Sequence, residues 1–135
     1  MTSQKKSYKS EIRPVKGTIL VAYMPEETAN PLVDYIISEG YDVDVFPSIT
    51  QMIENEDGVY SIALVDISPD GAKPIHAIEL IMQMTHNASV PVLVTSDSPD
   101  TEKIIHALNS GAMDYIIRPY SKHELLQRIR SIINR

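Results

Sequence analysis

Short apolar runs alternate along the chain with longer stretches whose apolar residues recur every three to four positions. The runs cover 19–24 (ILVAYM), 42–46 (DVDVF), 62–65 (IALV, ending on Asp66), 90–96 (VPVLVTS) and 114–117 (DYII), each of strand length. The intervening stretches carry helix signals. Asn30 and Pro31 suit the N-cap and first position of a helix that bears Leu32, Val33, Tyr35, Ile36 and Ile37 and stops at Gly40. Ser48 and Gln51 form a capping-box pattern for a short helix with Ile49, Met52 and Ile53. Pro74 starts a third helix with Ile75, Ile78, Ile81 and Met82 on one side, and Ser98-Pro99 opens a fourth with Ile104, Ile105 and Leu108, closed near Gly111. Ser121 and Glu124 cap a fifth, whose buried face is Leu125, Leu126, Ile129, Ile132 and Ile133.

Five strands alternating with five helices predict an α/β fold: a doubly wound, five-stranded parallel sheet in a three-layer α/β/α arrangement. The right-handed crossover rule favours the flavodoxin-like strand order 2-1-3-4-5. The predicted core is Ile19, Val21, Ile36, Leu64, Val92, Val94, Ile116 and Ile129. Ligands of such sheets sit beyond the carboxyl ends of the strands, beside the point where strand order reverses. Asp66 ends the third strand at that edge.

With 135 residues the chain suits one domain with one core. It has no cysteine, which excludes disulfides and thiolate metal sites and is compatible with a reducing cytoplasm. No apolar run is long enough to cross a membrane. Charge is uneven. Residues 1–16 hold Lys5, Lys6, Lys9, Arg13 and Lys16 against Glu11 alone, so residues 17–135 are more acidic than the chain's net −6. An acidic body is a poor nucleic-acid surface. Residues 1–16 read as a basic, solvated, flexible leader, and 17–135 as the folded domain.

The candidate chemistry is sparse. His76, His86, His106 and His123 lack close ligand spacing, and the methionines suit core filling. No Gly-rich phosphate loop occurs, and MPEETANP after the first strand has no glycine for a flavin phosphate. A small cofactor-binding domain on this fold is therefore a distant alternative, and no enzyme activity is expected.

GAMDYIIRPYSKHELLQRI (111–129), Asp66 and the PVLVTS strand together resemble the receiver domain of two-component response regulators, over about residues 17–135. The resemblance implies roles. Asp66 would be the phosphoacceptor. Ser96, ending the fourth strand and favoured over Thr95 by counting from Pro91, would hydrogen-bond the phosphoryl group. Tyr115 would be the aromatic that changes rotamer, and Arg118 before Pro119 would stand where the family has a lysine. Two acids after the first strand would hold Mg²⁺. Here those positions read Tyr23 and Met24, with Glu26 and Glu27 as weak substitutes, and the loop bearing Pro69 and Gly71 is shortened. A single carboxylate is a poor Mg²⁺ site. The expectation is a degenerate receiver without metal or other cofactor, acting through protein–protein contacts, with Arg118 paired to Asp66. The alternative is a phosphoacceptor that uses Mg²⁺ and a histidine kinase. Expected partners are a histidine kinase or other signalling proteins, with homodimerisation through the fourth helix, fifth strand and fifth helix (about 99–110, 114–117 and 121–134), and no nucleic acid or membrane.

Overall fold

The computed structural model describes residues 5–48, 59–68, 73–83 and 90–134. The helix predicted after Ser48, the loop with Pro69 and Gly71, and His86 lie outside them. The elements are β1 (Lys6–Tyr8), β2 (Thr18–Ala22), α1 (Glu26–Ser38), β3 (Asp42–Phe46), β4 (Ile62–Asp66), α2 (Lys73–Gln83), β5 (Val92–Ser96), α3 (Thr101–Asn109), β6 (Asp114–Ile117) and α4 (Lys122–Ile133). The sheet order is β1-β3-β2-β4-β5-β6. The members β3, β2, β4, β5 and β6 are parallel and run in the predicted order, while β1 joins antiparallel on the outer side of β3.

Nearly continuous apolar runs form the central strands β2, β4 and β5, because a parallel sheet is covered on both faces, while β3 alternates Asp with Val. Alternate residues then supply two separate cores. Ile19 and Val21 of β2, Leu64 of β4, Leu93 of β5 and Ile116 of β6 pack with α1 and α4. Leu20, Ala22, Val65, Val92 and Val94 pack with α2 and α3 on the other face. All eight predicted core residues are buried, at 2 % exposure or less.

Three expectations are corrected. The basic segment is not a free leader over its described part: Lys6–Tyr8 pairs with β3, so the packed body reaches back to Lys5. The physical cause is charge, since the acids of β3 and α1 face it. The sheet accordingly has six strands, and one of them is antiparallel. Helix α1 begins a turn earlier than Asn30, with Pro25 at its N-cap and Pro31 inside it. Glu26 and Glu27 favour the positive end of the helix, and Ala29 starts the buried stripe completed by Leu32, Val33 and Ile36. That stripe compensates the backbone hydrogen bond lost at Pro31. Similarly, α3 is capped by Asp100, whose side chain accepts from the Lys103 amide at 3.2 Å, rather than by Ser98. Ser121 caps α4 as expected, accepting from the Glu124 amide at 3.0 Å.

Candidate functional site around Asp66

Strand parity assembles the site. Asp66 shares a face of β4 with Leu64, Thr95 shares a face of β5 with Leu93, and the register pairs Leu64 with Leu93 and Asp66 with Thr95. Arg118 follows β6 in phase with Ile116, which belongs to the same core. All three side chains therefore converge on the α1/α4 side of the sheet, at its carboxyl edge.

Asp66 is wholly buried, at 0 % exposure. Its carboxylate accepts from the Ser68 amide at 3.3 Å, the Ser68 hydroxyl at 3.0 Å and the Thr95 hydroxyl at 3.3 Å. Nη2 of Arg118 lies 3.3 and 3.4 Å from its two oxygens and donates to Ser68 Oγ at 2.8 Å. The expected Arg118–Asp66 contact is thus present, but one nitrogen spans both oxygens instead of a two-nitrogen fork. Nη1 of Arg118 is buried without an acceptor. Tyr120 lies in the same field. Burial raises its phenol above the ordinary value, and Arg118 pulls it the other way.

Two residues that sequence reasoning missed complete the arrangement. Ser68 is a hub, because its hydroxyl also accepts from the Asp97 amide at 2.8 Å. The signal was available: a carboxylate bonding the amide two residues on is an Asx turn, which the Asp66–Ser68 spacing permits. Lys103 reaches from α3 to the carbonyls of Ile67 at 3.0 Å and Ser68 at 3.4 Å. No local pattern announces that long-range contact.

Other expected site residues sit elsewhere. Ser96 is in phase with Val94, on the other face, and bonds Ser98 instead of the acid (2.9 Å to its carbonyl). Thr95 takes the position expected of Ser96, because parity and not distance from Pro91 decides which hydroxyl faces Asp66. Tyr115 is 38 % exposed on β6, and Arg118 is joined to Pro119 by a cis peptide. The acid positions diverge. Tyr23 adopts a left-handed conformation at φ 64° and packs against the α2/α3 core, which turns Met24 into the α1/α4 core at 6 % exposure. Met24 therefore fills core space. Glu26 pairs with Lys6 at 3.2 Å. Nor is Asp66 in an open edge pocket. A cleft of about 450 Å³ opens between α1 and the turn into α4, with Arg118, Tyr35 and Tyr120 in its lining.

The model for the response regulator receiver domain matches residues 25–130. The chain belongs to this family. It is 31 % identical over 101 residues to the response regulator ArlR of Staphylococcus saprophyticus, covering 72 % of this chain and 43 % of that protein. It is 30 % identical over 120 residues to the sensory transduction protein RegX3 of Mycolicibacterium smegmatis, covering 87 % of this chain and 51 % of that one. The receiver chain thus spans about half the length of these curated relatives. Among solved structures, the receiver domain of a sensor histidine kinase from Pseudomonas aeruginosa superposes with a TM-score of 0.78 at 19 % identity, over 88 % of this chain and 98 % of that one. A CheY-like receiver domain protein from Methanospirillum hungatei gives 0.76 at 19 %, over 87 % and 93 %. These likenesses carry the fold.

The Pseudomonas receiver holds a magnesium ion in its active-site cleft. The donors gathered at Asp66 do not fit one here. Mg²⁺ requires near-octahedral oxygen ligands. Both Asp66 oxygens face Arg118, the Ser68 carbonyl faces the Lys103 ammonium, and Tyr23 and Met24 pack into opposite cores. Among the described residues, no three His, Asp or Glu side chains converge. Arg118 already balances the carboxylate charge that a metal would serve, and Lys103 takes up the Ser68 carbonyl. No helix among the described residues is long and apolar enough to cross a membrane.

Proposed function

We propose that this receiver domain signals through protein–protein contact, with little or no Mg²⁺-dependent phosphorylation of Asp66. The observation that carries the reading is the closed triangle of Asp66, Ser68 and Arg118, in which the acid is fully buried beneath a guanidinium. A carboxylate so held is shielded from an incoming phosphoryl donor, and its positive partner is covalently fixed. Phosphoryl transfer relies on positioned cations at the moving oxygens, whereas here Arg118 and Lys103 are engaged by the resting protein. Ser96, Tyr115 and Pro119 take no part in the triangle.

The partners on this reading are a histidine kinase or other signalling proteins, met in the cytoplasm. The contact face is α3, β6 and α4. Ile105 and Leu108, three apart on α3, are exposed beside Met113 and Tyr115, and Arg128 clamps β6 to α4 through Asp114 at 3.1 Å and the Tyr115 carbonyl at 2.7 Å. A rigid face with exposed apolar residues suits docking, including self-association. The deciding experiment is labelling by acetyl phosphate with Mg²⁺, read by intact mass beside a receiver that carries both acids. The expected result is no adduct on this protein. An adduct that forms at the control's rate and vanishes in Asp66→Asn would overturn the reading in favour of a phosphoacceptor served by a histidine kinase.

A further inference from the structure

The basic segment that leads into β2 is held to the body by a short main-chain ladder with β3 and by a row of charge pairs. Each of its five cations meets an acid: Lys5 at 3.9 Å from Asp44, Lys6 at 3.2 Å from Glu26, Lys9 and Arg13 at 3.8 and 3.5 Å from Asp42, and Lys16 at 3.7 Å from Glu39. The acids belong to the body, and all but Glu26, which is 65 % exposed, are largely buried there. Asp42 and Asp44 are 8 % and 13 % exposed, while the cations range from 35 % to 66 %. Two hydrogen bonds end on the same acids, from Ser7 Oγ to Asp44 at 2.7 Å and from the Ser10 amide to Asp42 at 2.8 Å, and two end on backbone carbonyls, from Ser10 Oγ to Ile37 at 2.7 Å and from the Lys16 amide to Gly40 at 2.8 Å. Apolar anchoring is slight. Tyr8 packs against the α1/α4 core, and Ile12 is 48 % exposed. A groove of about 350 Å³ remains between Lys6 and Tyr8 on one side and Met24, Ala29 and Val45 on the other.

β3 is already paired with β2 along its whole length, and its Val43 and Phe46 are buried in the cores. Removing β1 would expose one edge and the margin of the α1/α4 core under Tyr8, while the sheet centre stays covered. An edge flanked by Asp42, Asp44 and Glu26 selects a basic extended strand, since main-chain pairing supplies affinity and alternate side chains supply specificity.

We propose that the outer edge of β3 is a docking site for a basic extended segment, filled in cis by residues 5–16 and open in trans to the same segment of a second copy. The second copy is favoured because its segment carries the same cations at the same spacing. Exchange therefore replaces each contact with an identical one. Salt governs the exchange, because solvent-exposed charge pairs are screened and central strand pairing is not.

The backbone provides site-specific reporters. The Asp42 amide donates to Gly17 of the chain entering β2, so alternation turns the Val43 and Val45 amides toward β1, opposite Tyr8 and Lys6. Their hydrogen exchange is measured by NMR on the full chain in about 10 mM and about 1 M salt, where the screening length falls from about 30 to about 3 Å. Val43 and Val45 should exchange about tenfold faster or more in high salt, while Leu64 and Val94 in the sheet centre stay protected. In the second arm, Lys5→Glu/Lys6→Glu/Lys9→Glu in the full chain should lose protection at Val43 and Val45 in low salt. A peptide of residues 5–16 should then restore it. Salt-independent protection in the wild type would overturn the proposal, as would a peptide that restores nothing at about millimolar concentration. Loss of Leu64 and Val94 protection in the triple variant would also sink it, by showing that the strand is integral to the fold.

Discussion

Replacing Arg118 by alanine removes the only side-chain cation hydrogen-bonded to Asp66 among the described residues. Breaking a buried ion pair from one side costs about 3–5 kcal/mol when the remaining charge has nothing else. Three features reduce that here. Asp66 keeps the Ser68 and Thr95 hydroxyls at 3.0 and 3.3 Å. Arg118 is 19 % exposed, so water can enter the gap it leaves. Its Nη1, buried without an acceptor, departs with it and takes its own penalty away. The expected cost is about 1–2 kcal/mol, above the value of a wet surface pair, because Asp66 itself is 0 % exposed. At a urea slope of about 2 kcal/mol/M the midpoint should fall by about 0.5–1 M. The assay is a double-mutant cycle with Asp66→Asn, read by urea unfolding, and the coupling should be about 1 kcal/mol or more. Additivity within about 0.3 kcal/mol would refute the pairing as an energetic unit.

Ser68→Ala should destabilise by about 1–2 kcal/mol, because it strips a donor from Asp66 and an acceptor from Arg118 and the Asp97 amide; the same unfolding assay measures it. Ile105→Glu and Tyr115→Glu should weaken association through the α3–β6 face while changing stability by less than about 0.5 kcal/mol. Analytical ultracentrifugation and binding titrations read this, and unchanged association constants would show that the face is not used. Glu39 is held below its ordinary 4.5, first by the hydrogen bond from Arg130 and then by nearby charge, against an opposing burial effect. Its stabilisation is therefore present above the unfolded value and lost as pH falls through the lower folded one. The stability difference between wild type and Glu39→Gln should shrink across that acid window, and a difference that grows on acidification would contradict the sign.

Period and punctuation made the five parallel strands legible. β4 falls where a continuous apolar run falls, because a strand buried on both faces must be apolar on both, and β3 and β6, at the margins of the parallel set, keep polar or exposed positions. Gly40, at φ 109°, marks the end of α1 for the reason the sequence suggests: the turn needs a residue without a Cβ. The start of α1 was less legible, since two prolines compete there and only tertiary burial of Ala29 selects Pro25. β1 was hidden because KSY has no apolar period, and its affinity lies in acids some 35 residues away. At the site, Asp66 and Arg118 could be placed from the order of strands alone. Thr95 could not, because which of two adjacent hydroxyls faces the acid depends on the register of β5, and 92–96 is buried throughout. Lys103 depends on where α3 lands over the β4 edge, a packing outcome with no local trace.

The geometry at Asp66 also bounds what a partner must supply. If a second folded arrangement differed from this one only by the contacts at Asp66, a gap of about 1–2 kcal/mol would populate it at roughly 3–15 % of molecules. Inverting those populations takes about 2–4 kcal/mol of differential affinity, roughly thirty- to a thousandfold tighter binding to the unlocked state. A phosphoryl group with its metal would provide this by charge, but Arg118 already holds both Asp66 oxygens and Lys103 the Ser68 carbonyl. A protein interface can provide it instead, since one well-packed apolar or aromatic anchor contributes energy of that order. Tyr115 meets the requirement in place as well as kind. It is exposed on β6, its carbonyl is held by Arg128, and it lies three residues before Arg118 on the same strand and turn. A partner that buries Tyr115 would therefore act on β6, the strand that leads to Arg118.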